Sequence, residues 1–256
     1  AELAKMGEVL TNGQIGGRRN IIINGAMQVA QRATSTTGIT SGGYYSVDRF
    51  RFGTNGRDQG VYTNAQVSDA PSGFSSSFKI TTTTAESAID ADDLVWVGQR
   101  FEGQDIKQLK NGSDAEKVTL SFYVKSSITG TFGVSLYKPE NTFRIINATY
   151  TINSADTWEQ KVMTFDGDTS GGGIDNDSTE ALRVVWHLAS GSTYDSTNST
   201  SWADYSTGNW AGGHAQDGVI TTTNATWQLT GVQFEVGSQA TPFEHRSFGE
   251  ELALCD

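Results

Sequence analysis

The residues best suited to contacting a ligand are three aromatic side chains in one polar stretch. Trp202, Tyr205 and Trp210 lie in Ser199-Thr200-Ser201-Trp202-Ala203-Asp204-Tyr205-Ser206-Thr207-Gly208-Asn209-Trp210. Indole and phenol rings stack on the apolar faces of sugars, while neighbouring Asp and Asn side chains hydrogen-bond sugar hydroxyls. Such rings also anchor subunit interfaces, or simply pack a loop onto its own domain. All three readings stand open. Tyr44 and Tyr45, flanked by Gly42, Gly43 and Ser46, carry the same choice.

Carboxylates gather in two places. Asp90, Asp92 and Asp93 form one group; Asp166, Asp168, Asp175 and Asp177 form another, around Gly167 and Gly171 to Gly173. The second group reads either as a solvated acidic loop or as a structural Ca²⁺ site, because hard oxygen ligands on glycine-rich loops suit that ion. No cofactor is required. A glycosidase would need two carboxyl groups astride a sugar bond, at a separation that sequence does not give.

Other catalytic patterns are missing. The chain has no G-x-S-x-G elbow, H-E-x-x-H pair, Walker A loop or G-x-G-x-x-G. Its three histidines, His187, His214 and His245, have no neighbours that suggest a metal or nucleophilic pair, so each is expected to be structural or solvated. Cys255 is the one cysteine, which excludes an internal disulfide and a multi-cysteine metal site. A non-enzymatic role is expected.

Charge narrows the partners. The net charge of -11 opposes binding to nucleic acid or anionic lipid, both of which select clustered Lys and Arg. No apolar run approaches the roughly 20 residues that a membrane-spanning helix needs, so no membrane insertion is expected.

The elements that must position these residues are strands. Only 36% of the 256 residues are hydrophobic, Gly (29) is plentiful and Pro (3) is scarce, a mixture that suits many strands joined by turns. Twelve Phe, eight Tyr and six Trp supply a core. Eleven strands are predicted: Arg19 to Gln31 with a turn at Asn24-Gly25, then Ser46 to Phe52, Gly60 to Val67, Ser76 to Thr83, Leu94 to Phe101, Lys117 to Ser126, Thr131 to Tyr137, Arg144 to Ile152, Glu159 to Phe165, Leu182 to Leu188 and Thr226 to Val236. The clearest alternation sets Val118, Leu120, Phe122 and Val124 against polar neighbours, as a sheet with one buried face requires. Trp96, Trp158, Trp186 and Trp227 lie in or beside strands and are expected in the core. Gln104 to Lys110 reads as a short connecting helix. The strand count is that of an all-β jelly-roll β-sandwich.

Ala1 to Leu10 is a second candidate helix, because Leu3, Met6 and Leu10 fall on one stripe at i, i+3 and i+7. So short a stripe needs a partner surface, and a homotrimer nucleated by the first 15 residues is expected. The predicted organisation is a helical stem or attachment segment over 1–18, one sandwich over 19–246 and a C-terminal tail over 247–256.

The two ends also carry a family resemblance. Leu3-Ala4-Lys5-Met6-Gly7-Glu8-Val9-Leu10 leads into Arg18-Arg19-Asn20-Ile21-Ile22-Ile23-Asn24-Gly25-Ala26-Met27-Gln28-Val29-Ala30-Gln31-Arg32. Trp227-Gln228-Leu229-Thr230-Gly231-Val232-Gln233-Phe234-Glu235-Val236-Gly237 is followed by Ala240-Thr241-Pro242-Phe243-Glu244-His245-Arg246. Together with Tyr45 to Phe50, Gln99 to Gln104 and Val118 to Lys125, these segments resemble the domain of tail-fibre and fibre-like virion proteins of marine bacteriophages, including cyanophages. The resemblance implies a jelly roll akin to carbohydrate-binding (galactose-binding) modules, exposed on a virion among other virion proteins and commonly trimeric. It implies a chain that continues past Glu250-Glu251-Leu252-Ala253-Leu254-Cys255, and so a C-terminus here that is cut or variant. Two functions follow: multivalent attachment to host-surface glycan, or a structural head-fibre, decoration or tail-tip part without a receptor role.

Overall fold

The structure, a computed structural model, describes residues 18–256. The first candidate helix, with Leu3, Met6 and Leu10, lies outside the described residues. The rest is an all-β sandwich of two six-stranded antiparallel sheets in a jelly-roll arrangement.

The first sheet has the order β1-β3-β4-β12-β6-β9. Its strands are β1 (Ser35–Ile39), β3 (Val61–Val67), β4 (Ser77–Thr84), β6 (Val118–Ser126), β9 (Glu159–Phe165) and β12 (Thr226–Val236). The second sheet has the order β11-β8-β7-β10-β5-β2. It comprises β2 (Arg51–Asn55), β5 (Leu94–Glu102), β7 (Gly130–Lys138), β8 (Arg144–Ile152), β10 (Glu180–Ser190) and β11 (Ala203–Asp204). Ten of the predicted strands recur, Arg144–Ile152, Glu159–Phe165 and Thr226–Val236 with the predicted ends and the others with shifted ones; β1 and β11 carry no alternation that sequence reading could find.

The core between the sheets follows from period-2 burial. From β5 come Val95 and Val97, from β10 Leu182, Val184 and Trp186, and from the facing sheet Phe78, Phe122 and Trp227. Phe122 meets Trp186 edge to face at 5.7 Å. Trp186 and Trp227 are fully buried, as expected. Trp158 is instead half-buried, its indole N–H donating to Asp69, and Trp96 points out of the opposite face of its sheet.

The predicted hairpin over 19–31 does not form. Ile21, Ile22 and Ile23 are buried, but their backbone is held mainly by side-chain amides rather than by a strand ladder. Gln99 exchanges two 2.8 Å hydrogen bonds with the backbone of Ile23. Asn20 accepts from the N–H groups of Ile22 and Phe234, and Asn24 pins Val29 through both ends of its amide. This segment enters beside β12 where its pairing with β6 breaks register between Thr230 and Gln233. A Cβ at Gly25 would sit 2.2 Å from the carbonyl of Val232, so only glycine fits there.

Among the described residues helix is confined to short pieces: α1 (Ser192–Asp195), α2 (Gly218–Thr221) and α3 (Phe248–Cys255). The expected helix over 104–110 is instead a run of single 3₁₀ turns at Gly103–Asp105, Lys107–Leu109 and Gly112–Asp114. The C-terminal tail is α3, started by a reciprocal Ser247–Glu250 capping box and anchored by buried Glu251, which accepts from the Asn24 N–H. Among the described residues no helix is long and apolar enough to cross a membrane.

Candidate ligand-binding site

The outward face of the second sheet is where aromatic and cationic side chains converge. Along β5, residues alternate between the core and this face, so Trp96 and Arg100 point outward while Val97 and Phe101 point in. Register then fixes their neighbours. Arg51 pairs with Gly98, Gly53 with Trp96, and Arg100 with Arg183; Arg183 in turn pairs with Tyr137 of β7. Paired residues share a face, so three arginines and two aromatic rings come together from strands far apart in sequence.

Gly53 is what lets the indole lie down. A Cβ built there would stand 2.0 Å from Cε2 of Trp96, so the ring occupies the space that any side chain on β2 would fill. Guanidinium groups cover the indole: Arg51 lies 5.2 Å and Arg183 5.4 Å from a Trp96 ring centroid. Arg183 also lies 5.6 Å from the rings of Tyr137 and Trp210. Its Nε and Nη2 donate to Glu180 at 2.7 and 3.0 Å, and Arg100 Nε approaches the same carboxylate at 3.2 Å. Burial, followed by the charge of Arg100, lowers the pKa of Arg51. Burial raises the pKa of the phenols of Tyr137 and Tyr205.

The loop after β10 folds back over part of this face. Ser206 and Asn209 form a capping box around the turn Thr207–Asn209. Asn147 of β8 holds the loop down: its Nδ2 donates to the carbonyl of Asn209 at 3.0 Å, and its Oδ1 accepts from Ser199 N–H at 2.9 Å. Trp210 is thereby buried edge-on against Trp96 and Tyr137. Tyr205 packs on Tyr137 at 5.0 Å and stays half-exposed, and Tyr194 accepts from Asn55 Nδ2 at the far end of the face.

Next to the uncovered part of the face lies a polar cavity of about 400 Å³. Arg100, Glu180 and Tyr44 line it, joined by Arg32 and Arg49. Tyr44 is exposed at its rim, with the Arg32 guanidinium 5.7 Å from the ring. Gly43 bridges to Phe52, so the 42–45 segment runs beside β2, and the next residue turns the other way. Tyr45 packs against the main core, with its hydroxyl donating to the carbonyl of Ser41 at 2.8 Å. Cys255 also lines the cavity, but burial, followed by the nearby acidic groups Asp48 and Glu251, pushes its thiol up to about 12, so it stays protonated.

The sequence-derived aromatic set therefore divides. Tyr44 and Tyr205 belong to this face. Trp210 belongs to it as packing, since a buried ring has no surface to offer a ligand. Trp202 sits elsewhere, at the end of the sandwich, half-buried with Nε1 donating to the carbonyl of Asp166 and Lys138 above its ring. Arg51, Trp96, Arg100 and Arg183 were missed, because strand alternation alone does not say which of a strand's two faces meets the other sheet.

The four aspartates proposed for Ca²⁺ are not one cluster. Asp168 is buried between two cations, Lys138 Nζ at 2.9 Å and Arg144 Nη2 at 3.3 Å, and Asp166 pairs with Lys117. Asp175 and Asp177 instead approach Glu140, with carboxylate oxygens within 4.8 Å of one another. Asp177 also accepts from the N–H and hydroxyl of Thr179, which lower its pKa.

No protein-family model and no curated protein matches the chain. Solved structures with a similar arrangement of strands include the enzymatically active domain of tailspike protein 4 of bacteriophage CBA120, at 11% identity and a TM-score of 0.42 over 85% of this chain and 21% of that one. This chain thus spans about a fifth of the tailspike structure's length. The tandem CBM22 domain of Paenibacillus barcinonensis Xyn10C is similar at 12% identity and a TM-score of 0.44, over 87% and 51% of the two chains. The family 11 carbohydrate-binding module of Clostridium thermocellum, solved with a mixed-linked tetrasaccharide, is similar at 9% identity and a TM-score of 0.39, over 80% and 96%.

Proposed function

We propose that this chain is a non-catalytic module that holds a saccharide on the outward face of its second sheet. The observation that carries the reading is the meeting of exposed Tyr44 and half-exposed Tyr205 with the guanidinium forks of Arg51, Arg100 and Arg183 beside an open cavity of about 400 Å³, where buried Trp96 seats two of those forks. Rings supply apolar stacking area, and rigid forks supply directed donors, which is the combination that polyhydroxylated rings need. The carboxylate nearest the rings, Glu180, is tied to two arginines, which suits it to positioning rather than to proton transfer.

The biological setting rests on the resemblance of the two chain ends to phage fibre proteins. Copies joined through Leu3, Met6 and Leu10 in a homotrimer would present the face several times on one virion, converting weak single contacts into avidity for host-surface polysaccharide. In the alternative, a structural virion part, Trp202, Tyr205 and Trp210 would seal contacts between copies. Two of them are used inside the chain, Trp210 by burial and Trp202 by its bond to Asp166, which leaves half-exposed Tyr205 for such a contact.

The test is an array of bacterial surface polysaccharides probed with the wild-type chain and with Tyr44→Ala. Binding that weakens in the variant supports the reading. Binding that the variant leaves unchanged removes this face from it, and a fall in polymer viscosity on incubation replaces binding with cleavage.

A further inference from the structure

We propose that the saccharide is acidic, bearing carboxylate or sulfate groups that Arg51 and Arg100 hold; this inference rests on the proposed saccharide role of the same face. The chain carries a net charge of -11, yet Arg32, Arg49, Arg51, Arg100 and Arg183, five of its ten arginines, collect on this face or around its cavity. Arg100 stands directly opposite Arg183, and Arg51, paired with Gly98, is one diagonal step from Arg100. Like charges in those positions repel. Glu180 contacts Arg100 and Arg183 but not Arg51, so three neighbouring guanidiniums share one counter-charge.

Around the cavity, Arg32 pairs with Asp48 at 3.3 Å and Asp256 accepts from Gln31 Nε2. Among the described residues no carboxylate pairs with Arg49 or Arg51. Glu102 at the cavity wall accepts from Gln104. Arg51 lies over Trp96 without an ion-pair partner among these residues, and the Arg100 side chain is 40% exposed toward the cavity. A stacked guanidinium is preorganised for the two parallel hydrogen bonds that a carboxylate or sulfate accepts. Arg49 lines the same cavity from a left-handed backbone, φ 70°. Tyr44 at the rim would stack on the sugar whose acidic group the arginines take.

The experiment compares matched polymers that differ only in charge: polygalacturonate against its fully methyl-esterified form, and dextran sulfate against dextran. The wild-type chain is expected to bind at least one acidic member about tenfold or more tighter than its neutral partner, with affinity falling as salt rises. Arg51→Gln and Arg100→Gln are each expected to lose about tenfold for that acidic polymer, while Tyr44→Ala weakens both members of the pair. Arg51→Lys and Arg100→Lys, which keep the charge but not the fork, are expected to fall between and serve where a Gln variant folds poorly. Neutral polymer bound as tightly as acidic, still through Tyr44, overturns the acidic class and leaves the saccharide reading standing. Acidic binding that survives in both Gln variants overturns the site. Binding to neither member of either pair overturns both proposals.

Discussion

Arg100 and Arg183 face each other across β5 and β10, and the carboxylate of Glu180 touches both guanidiniums. This pairing would otherwise set like charges opposite one another on a sheet. Glu180→Gln is therefore expected to destabilise the chain by about 1 kcal/mol in denaturant unfolding, with the loss shrinking as salt screens the two arginines.

Gly53→Ala tests the seat of Trp96. The added methyl would meet the indole at 2.0 Å, so the ring must lift from the sheet and lose its place beneath Arg51 and Arg183. The expected outcome is a loss of about 1–3 kcal/mol, with a changed tryptophan emission and weaker saccharide binding.

Strand positions were legible where apolar and polar side chains alternate, as in β6, although Thr119 and Ser121 on its polar face are buried as well. The outward face was not, because β5 and β10 carry side chains that matter on both sides: Val97 and Trp186 fill the core while Trp96 and Arg183 build the site. A tryptophan in an apolar strand reads as core whichever way it points. The segment over 19–31 misled for another reason. Its three isoleucines have the composition of a strand, but the amides of Asn20, Asn24 and Gln99 replace most of the ladder, and side-chain-held backbone leaves no periodicity to read. In the 199–210 stretch, Trp202 and Trp210 part company because Asn147 and Asn209 pin one end of the loop to the sheet.

Tyr44 and Trp202 should separate binding from stability. Tyr44→Ala removes an exposed ring and is expected to weaken saccharide binding about tenfold, with a melting temperature close to wild type. Trp202→Ala removes a half-buried ring bonded to Asp166, and is expected to cost about 1–3 kcal/mol while leaving affinity within twofold or so. Calorimetric binding and thermal unfolding on the same two variants check both halves.

His187 sets an acid limit on the fold. Its ring is fully buried, 2.9 Å from Ser135 Oγ, and burial, reinforced by the charge of nearby His214, holds its pKa well below the ordinary histidine value. Below a pH of about 6.5 the unfolded chain takes up a proton that the folded chain refuses, so this contribution is full above that pH and is lost as the pH falls toward the folded-state value. Unfolding free energy should drop by about 1.4 kcal/mol per pH unit from this group as acid is added. His187→Gln, which retains a partner for Ser135, should flatten that slope by about one proton in a pH series of denaturation curves.

A crystal structure with a bound oligosaccharide from a polymer that the chain recognises tests the central claim most directly. The sugar is expected on the outward face of the second sheet, with a ring against Tyr44 and its polar groups within hydrogen-bonding distance of Arg51 or Arg100. A sugar seated beside Trp202 at the end of the sandwich, with the arginine face empty, would contradict the account.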